Sequence, residues 1–183
     1  GKEYIVSDIK KQERTVSPRP PFTTSSLQQD ASAKHNMRPQ TTMRVAQALY
    51  EGINVKGRGL TGLITYMRTD SLRISAEAST AAANFIKTEY GEEYLPKKPT
   101  FYKTKEGAQD AHEAIRPTDV FLTPDSIKDS LTSEQYRLYK LIWLRFTASR
   151  MAPAIYDVQT VDIKAGDYLF KGTDSVIRFK GYT

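Results

Sequence analysis

The stretch GLITYMRTDSLRIS, Gly62 to Ser75, decides how this chain is read. Tyr66, Arg68 and Asp70 stand at every second position within it. Side chains of an extended segment alternate with period two, so these three share one face. The stretch is either a half-buried strand that carries charge or a nucleophile beside a phosphate clamp. A phenol has a pKa of about 10 and is a poor nucleophile at neutral pH unless charge assists it. An arginine two residues along supplies that charge, by stabilising phenolate or by holding a phosphate bidentately. Asp70 is placed to orient the arginine. Alone, Y-x-R-x-D is a weak signal, because most of the 11 tyrosines in the chain must serve packing or the surface.

Outward from this stretch the pattern is mostly helical. NVKGRGLTG, a glycine-rich loop, leads into it. Before that, TTMRVAQALYEG reads as a helix from Thr41 or Thr42, with Met43, Ala46, Leu49 and Tyr50 as its apolar stripe and Gly52 as its stop. TTSSLQQDASAKHN reads as an earlier helix, in which Ser25 and Gln28 have capping-box spacing and Phe22 is a candidate staple. After the stretch, SAEASTAAANFIKTEYG reads as a helix capped by Ser75 and ended near Gly91. A long polar loop, LPKKPTFYKTKEGAQD, precedes AHEAIRPTDV. The last helix, TSEQYRLYKLIWLRFTASRM, carries a capping box at Thr132 and Gln135 and a stripe of Leu138, Leu141, Ile142 and Phe146, and Pro153 stops it. Both ends of the chain are β-rich. EYIVSDIKKQERTVS precedes the SPRPP break, and AIYDVQTVDI, YLFKGT and VIRFKGYT read as three short strands separated by KAGD and DS turns. The simplest arrangement is α+β: a helical domain over 21–151 inserted into a β domain made of 1–20 and 152–183, joined near Pro20 and Ala152.

Composition bounds the chemistry. The 183 residues are 39% hydrophobic and 26% charged, enough for a globular core. No apolar run approaches the ~18 residues of a membrane helix. The absence of cysteine removes disulfides and thiolate metal sites and fits a reducing compartment. The first residue is Gly rather than Met, and KEYIVSD is no signal peptide, so an excised piece of a longer protein is expected. The net charge is +6 and the pI about 9.4. From Ala31 to Arg73 seven Lys or Arg face two acids, a net of +5, which on charge alone suits a polyanion partner and a solvated basic surface equally. HEAIR resembles half a zincin motif, but Arg116 stands where the second histidine is required. No G-x-S-x-G elbow, Walker loop or Rossmann glycine motif is present, so a serine hydrolase and ATP or NAD use have no support. AHEAIRPTDV instead supplies a second set of phosphate-binding types, His112 and Arg116.

FTTSSLQQDAS (Phe22 to Ser32), GLITYMRTDS (Gly62 to Ser71) and AHEAIRPTDV (Ala111 to Val120), followed by YRLYKLIWLRF and MAPAIYD, occur in an order that resembles the central part of bacterial type IA DNA topoisomerases. The resemblance implies a helical unit similar to the winged-helix domain of catabolite activator protein, carried on part of a β-rich arch. It implies that Tyr66 attacks single-stranded DNA to give a 5′-phosphotyrosine, that Arg68 supports the transition state at the scissile phosphate, and that His112 assists there. Relaxation of negatively supercoiled DNA without ATP follows, because the phosphotyrosine conserves the bond energy. Gln28, Lys34, Arg38, Arg44, Lys56, Arg58, Asp70 and Arg116 are the expected DNA-binding residues. Mg²⁺ is expected in the whole enzyme on an acidic Toprim domain whose D-x-D cluster this sequence does not contain, with no metal bound by this chain. A monomer in the cytoplasm, associated with the nucleoid, is implied, and this chain alone is expected to be inactive. Two other readings remain: a non-catalytic winged-helix module that binds nucleic acid, and a tyrosine recombinase, whose tyrosine follows its histidine and arginines and takes the 3′ phosphate.

Overall fold

The computed structural model describes residues 3–102 and 112–183. Half of the expected polar loop, 103–110, and Ala111 of AHEAIRPTDV lie outside the described residues. The architecture is α+β, and the chain divides into two compact units, 1–18 with 152–183 and 19–151. The first division falls at Pro18, two residues before the expected Pro20. Arg19 and Pro20 belong to the helical unit: Arg19 lies 3.9 Å from Asp30, and the Pro20 carbonyl accepts from Arg145 at 3.2 Å.

The first unit is one antiparallel sheet of order β1-β4-β5, built from β1 (Ile5–Val16), β4 (Ala154–Ala165) and β5 (Tyr168–Phe179). β1 pairs with β4 from Ile5↔Lys164 to Val16↔Ala154, so the two ends of the chain's β-rich sequence meet. Gly166, at φ 63°, turns β4 into β5 in a two-residue hairpin. β5 is continuous where two strands were expected. Asp174 and Ser175 do not turn; they pair with Gln159 and Val158.

The second unit holds α1 (Thr24–His35), α2 (Pro39–Glu51), the small hairpin β2 (Ile53–Val55) and β3 (Gly59–Thr61), α3 (Ala76–Glu89) and α4 (Ser133–Ser149). Two 3₁₀ turns, Glu92–Tyr94 and Pro124–Ser130, complete it. Thr132 and Gln135 form the expected capping box of α4, and Leu138, Leu141, Ile142 and Phe146 are all buried. The capping box of α1 is made by Thr23 with Ser26, two residues earlier than Ser25 with Gln28. α2 begins at Pro39 rather than at Thr41 or Thr42, because Pro at the first helical position needs no donor. Its buried stripe is Thr42, Val45, Ala46 and Leu49, so Met43 and Tyr50 fall at the edge. The core closes around α4: Phe85 meets Trp143 edge-on at 5.4 Å, the Tyr139 hydroxyl donates to Leu122 O, and Trp143 Nε1 donates to Val120 O. Each large apolar side chain buried there contributes about 1.5–3 kcal/mol.

Candidate active site

The stretch that opened the reading is extended but is not a strand. It makes one isolated bridge, Ile64↔Pro117, and bends at Met67 and Arg68. The period-two pattern survives without a ladder: Tyr66, Arg68 and Asp70 are exposed, while Met67, Thr69 and Ser71 are buried. Its backbone groups are satisfied by distant partners instead.

Two threonines do most of this. Thr65 donates its N–H to Arg116 O at 2.9 Å and its hydroxyl to Ala114 O at 2.7 Å, and accepts from Arg116 N at 3.0 Å. Thr24, at the start of α1, donates its hydroxyl to Met67 O at 2.7 Å and its N–H to Thr69 O at 2.9 Å, and accepts from Thr69 N at 2.9 Å. Phe22 and Ile115 form a further bridge. The three sequence motifs, far apart in the chain, are therefore laced together on either side of Tyr66. Arg68 is gripped through the backbone before and after it, which leaves its side chain free to point outward.

Tyr66 is 39% exposed. Its ring stands edge-on to Tyr50 at 5.4 Å and tilted against His112 at 6.0 Å, so three aromatic rings run in a row. Edge-on pairs of this kind are favourable by about 0.5–1.5 kcal/mol and restrict ring orientation. Next to this row lies a cleft of about 490 Å³ lined by Thr23, Thr24, Ser25, Arg68, Thr69, Asp70 and His112. The first turn of α1 forms one wall and carries no acidic residue. A helix start of this kind favours an anion.

Behind the row, Glu113 accepts from Ser75 N at 2.5 Å and from Arg116 Nη2 at 2.7 Å. Burial works to raise the Glu113 carboxyl, but the Arg116 charge and hydrogen bond, with the Ser75 N–H, hold it below the usual carboxylate value. Glu113 thus ties the His112 segment to the start of α3.

The expected DNA-binding residues separate into groups. Gln28, Arg68 and Arg44 share a second cleft. Arg58 pairs with Asp119 at 3.3 Å at the surface, where such pairs are weak and exchangeable, and the exposed Lys34 reaches Asp30 at 3.5 Å, a largely buried carboxylate that Arg145 also holds at 2.6 Å. Lys56 sits in the turn of the β2–β3 hairpin, which replaces the glycine-rich loop read from sequence. Arg38 occupies the N-cap position of α2. Arg116 differs from the expectation of a phosphate donor: its side chain is 12% exposed and committed to Glu113 and to Pro117 O. Tyr50, Thr24 and Thr65 were missed as site residues. Tyr50 was read as core from its helical spacing, and the threonines' partners lie too far along the chain for spacing to disclose.

A family model described as DNA topoisomerase matches residues 1–183. Among solved structures, full-length topoisomerase I from Thermotoga maritima is similar, at 42% identity and a TM-score of 0.87. The match covers 99% of this chain and 29% of the Thermotoga chain. The family match therefore runs through both units and all three laced motifs, and this chain belongs to the bacterial type IA DNA topoisomerase family.

Proposed function

We propose that this chain carries the nucleophile of a topoisomerase reaction on single-stranded DNA. The observation behind this is the half-exposed Tyr66 ring standing between Tyr50 and His112, beside a cleft that Arg68 and the start of α1 line. The Tyr66 Oη attacks the phosphorus, the bond from phosphorus to the 3′-oxygen breaks, and a 5′-phosphotyrosine forms. The phenol gives up its proton and the departing 3′-oxygen takes one up. Arg68 holds the phosphate oxygens and offsets their developing charge. His112 adds a donor at the edge of the same cleft. Attack in reverse by the 3′-hydroxyl reseals the strand, so no nucleotide is consumed. In this reading the helical unit is the tyrosine domain and the sheet unit is part of an arch.

Mg²⁺ is the metal the family resemblance implies. Among the described residues no three His, Asp or Glu side chains converge on one ion. Glu113, the carboxylate nearest His112 in sequence, is already committed to Arg116 and Ser75. These residues do not fit a Mg²⁺ centre, and no step above runs through one. By itself the 183-residue chain binds single-stranded DNA and does not cleave it.

The test exchanges the matching segment of the Thermotoga enzyme for this chain and traps covalent complexes on labelled single-stranded DNA. The expected adduct carries the 5′ phosphate, is absent in Tyr66→Phe, and falls by roughly two to three powers of ten in Arg68→Lys. An adduct in the Phe variant, or one through the 3′ phosphate, would reject Tyr66 as this nucleophile. Undiminished DNA binding by a chimera that never forms an adduct would favour the non-catalytic binding module.

A further inference from the structure

Tyr66 is held firmly through its backbone and lightly through its ring. On one side Thr65 donates its N–H to Arg116 O at 2.9 Å. On the other the Thr24 hydroxyl donates to the carbonyl of the fully buried Met67 at 2.7 Å. The Tyr66 ring is 39% exposed, and its hydroxyl has no hydrogen-bond partner among the described residues. With the backbone pinned, the side chain still has several staggered wells about its first torsion. The aromatic contacts that select among them come from Tyr50, edge-on at 5.4 Å with the planes 66° apart, and from His112, tilted by 31° at 6.0 Å.

We propose that Tyr50 is a positioning residue for the nucleophile: its ring holds Tyr66 in one rotamer before DNA arrives, so that cleavage does not have to order it. The proposal rests on the reading of Tyr66 given above. Tyr50 suits this task because it is tied to the backbone it steers. It stands in the last turn of α2, outside that helix's buried stripe. After the β2–β3 hairpin the chain returns to this spot, where Leu63 N donates to Leu49 O at 2.8 Å. A β-carbon built at Gly62 would lie 3.0 Å from Tyr50 O, closer than side-chain carbons normally come, so glycine lets the two backbones touch. Direct contact at 49–50 and 62–63 thus fixes where the Tyr50 ring stands relative to Tyr66. His112 is the more distant ring, and it also lines the cleft, where a phosphate competes for it. Tyr50 does not line that cleft and is free of this competition.

Such a contact has its own kinetic signature. A ring that is not held must be ordered on the way to the transition state, so loss of Tyr50 slows attack of the Tyr66 Oη on phosphorus. Resealing begins from the phosphotyrosine, whose ring is already tethered through the phosphate, and it keeps its rate. A group that offsets transition-state charge, as Arg68 does in the reading above, acts on both directions. An edge-on pair needs a ring and not a hydroxyl, so phenylalanine serves at position 50 and alanine does not. Misplacing a reacting group by about 1 Å costs up to about 100-fold, and selecting one staggered well costs less, so a loss of about tenfold is expected.

The first measurement uses this chain alone, by NMR with isotope-labelled tyrosine, the Tyr66 signals being assigned by their loss in Tyr66→Phe. The couplings between the α- and β-protons of Tyr66 should report one rotamer in the wild type and in Tyr50→Phe, and an average over rotamers in Tyr50→Ala. Tyr50 is 41% exposed and alanine favours the helix, so folding is retained. Averaged couplings in the wild type, or a single rotamer in Tyr50→Ala, would overturn the proposal whatever the chimera does. The second measurement uses the Thermotoga chimera at saturating single-stranded DNA. Tyr50→Ala should form the adduct about tenfold more slowly, with DNA affinity and resealing rate unchanged, and Tyr50→Phe should match the wild type. Weaker DNA binding, an equal slowing of resealing, or a Phe variant as slow as the Ala variant would each count against positioning. Cleavage at the wild-type rate in Tyr50→Ala would reject Tyr50 and leave Tyr66 as the nucleophile. An adduct in Tyr66→Phe would instead remove the nucleophile and the proposal with it.

Discussion

The two units of the chain solve the problem of stability differently. The helical unit encloses side chains completely: Phe22, Leu27, Leu49, Leu63, Met67, Ile86, Ile115, Tyr139, Ile142 and Phe146 are at most 1% exposed. The sheet unit encloses little. All of β1 before Val16 and all of β5 before Phe179 are exposed, and Val158 and Ala165 are the buried residues of the middle of β4 and its end. The sheet is held by its ladders and cross-strand pairs, each worth only about 0.2–1 kcal/mol. The helical unit is held by burial, and that enclosed core is what fixes the lacing around Tyr66.

The largest test of this contrast removes apolar bulk from each unit. Phe146→Ala, in the middle of the α4 core, is expected to cost about 3–5 kcal/mol, because it loses transfer energy and leaves a cavity. Val176→Ala, at 62% exposure on β5, is expected to stay within about 0.5 kcal/mol. Urea titration of the two variants checks this. Equal losses would show that the sheet unit is packed as the helical unit is, and would dissolve the comparison.

A smaller effect sharpens it through charge. In the helical unit the Glu113–Arg116 pair is 18% and 12% exposed; in the sheet unit Glu13 and Arg178 form a hydrogen-bonded pair with about half of each side chain in water. Glu113→Gln is expected to cost about 1–3 kcal/mol at neutral pH, since the buried Arg116 loses its counter-charge. Glu13→Gln should leave stability unchanged. The pH dependence follows from the sign of the shift. Glu113 sits below its ordinary value of 4.5 when folded, so its contribution is present above that value and is lost as pH falls through the folded value. Acid titration of wild type should therefore show a loss of stability below about pH 4.5 that Glu113→Gln lacks. An identical acid limb in both proteins would remove Glu113 from the account.

What could be read in advance follows the same division between local and distant causes. The Thr132–Gln135 capping box, the Ser75 cap and the Gly52 stop are local and stood in the sequence as they stand in the structure. Residues 54–62 were read as a loop because each strand of the hairpin is three residues long, too short for a period to show. Residues 168–173 and 176–183 were read as two strands because Asp174-Ser175 has the composition of a turn; pairing with β4 overrides it. At the candidate site, spacing put Tyr66, Arg68 and Asp70 on one exposed side. It did not reveal that Thr24 and Thr65 supply the bonds a ladder would have made, or that Arg116 turns inward to Glu113.

The smallest expected effect concerns Gly172, inside β5 and opposite Val161. Glycine loses more backbone freedom on folding than any other residue, and within a strand this costs about 0.5–1 kcal/mol relative to alanine. A β-carbon built at Gly172 meets no atom within 4 Å, so alanine fits without displacing anything. Gly172→Ala should therefore stabilise the sheet unit by roughly 0.5 kcal/mol, mainly by restricting the unfolded chain. The gain should appear as slower amide exchange in β4 and β5 and leave exchange in α4 unchanged, because α4 belongs to the other compact unit. Slower exchange in α4 as well would show that the two units open together, and the division between a ladder-held and a core-held unit would then describe packing without describing stability.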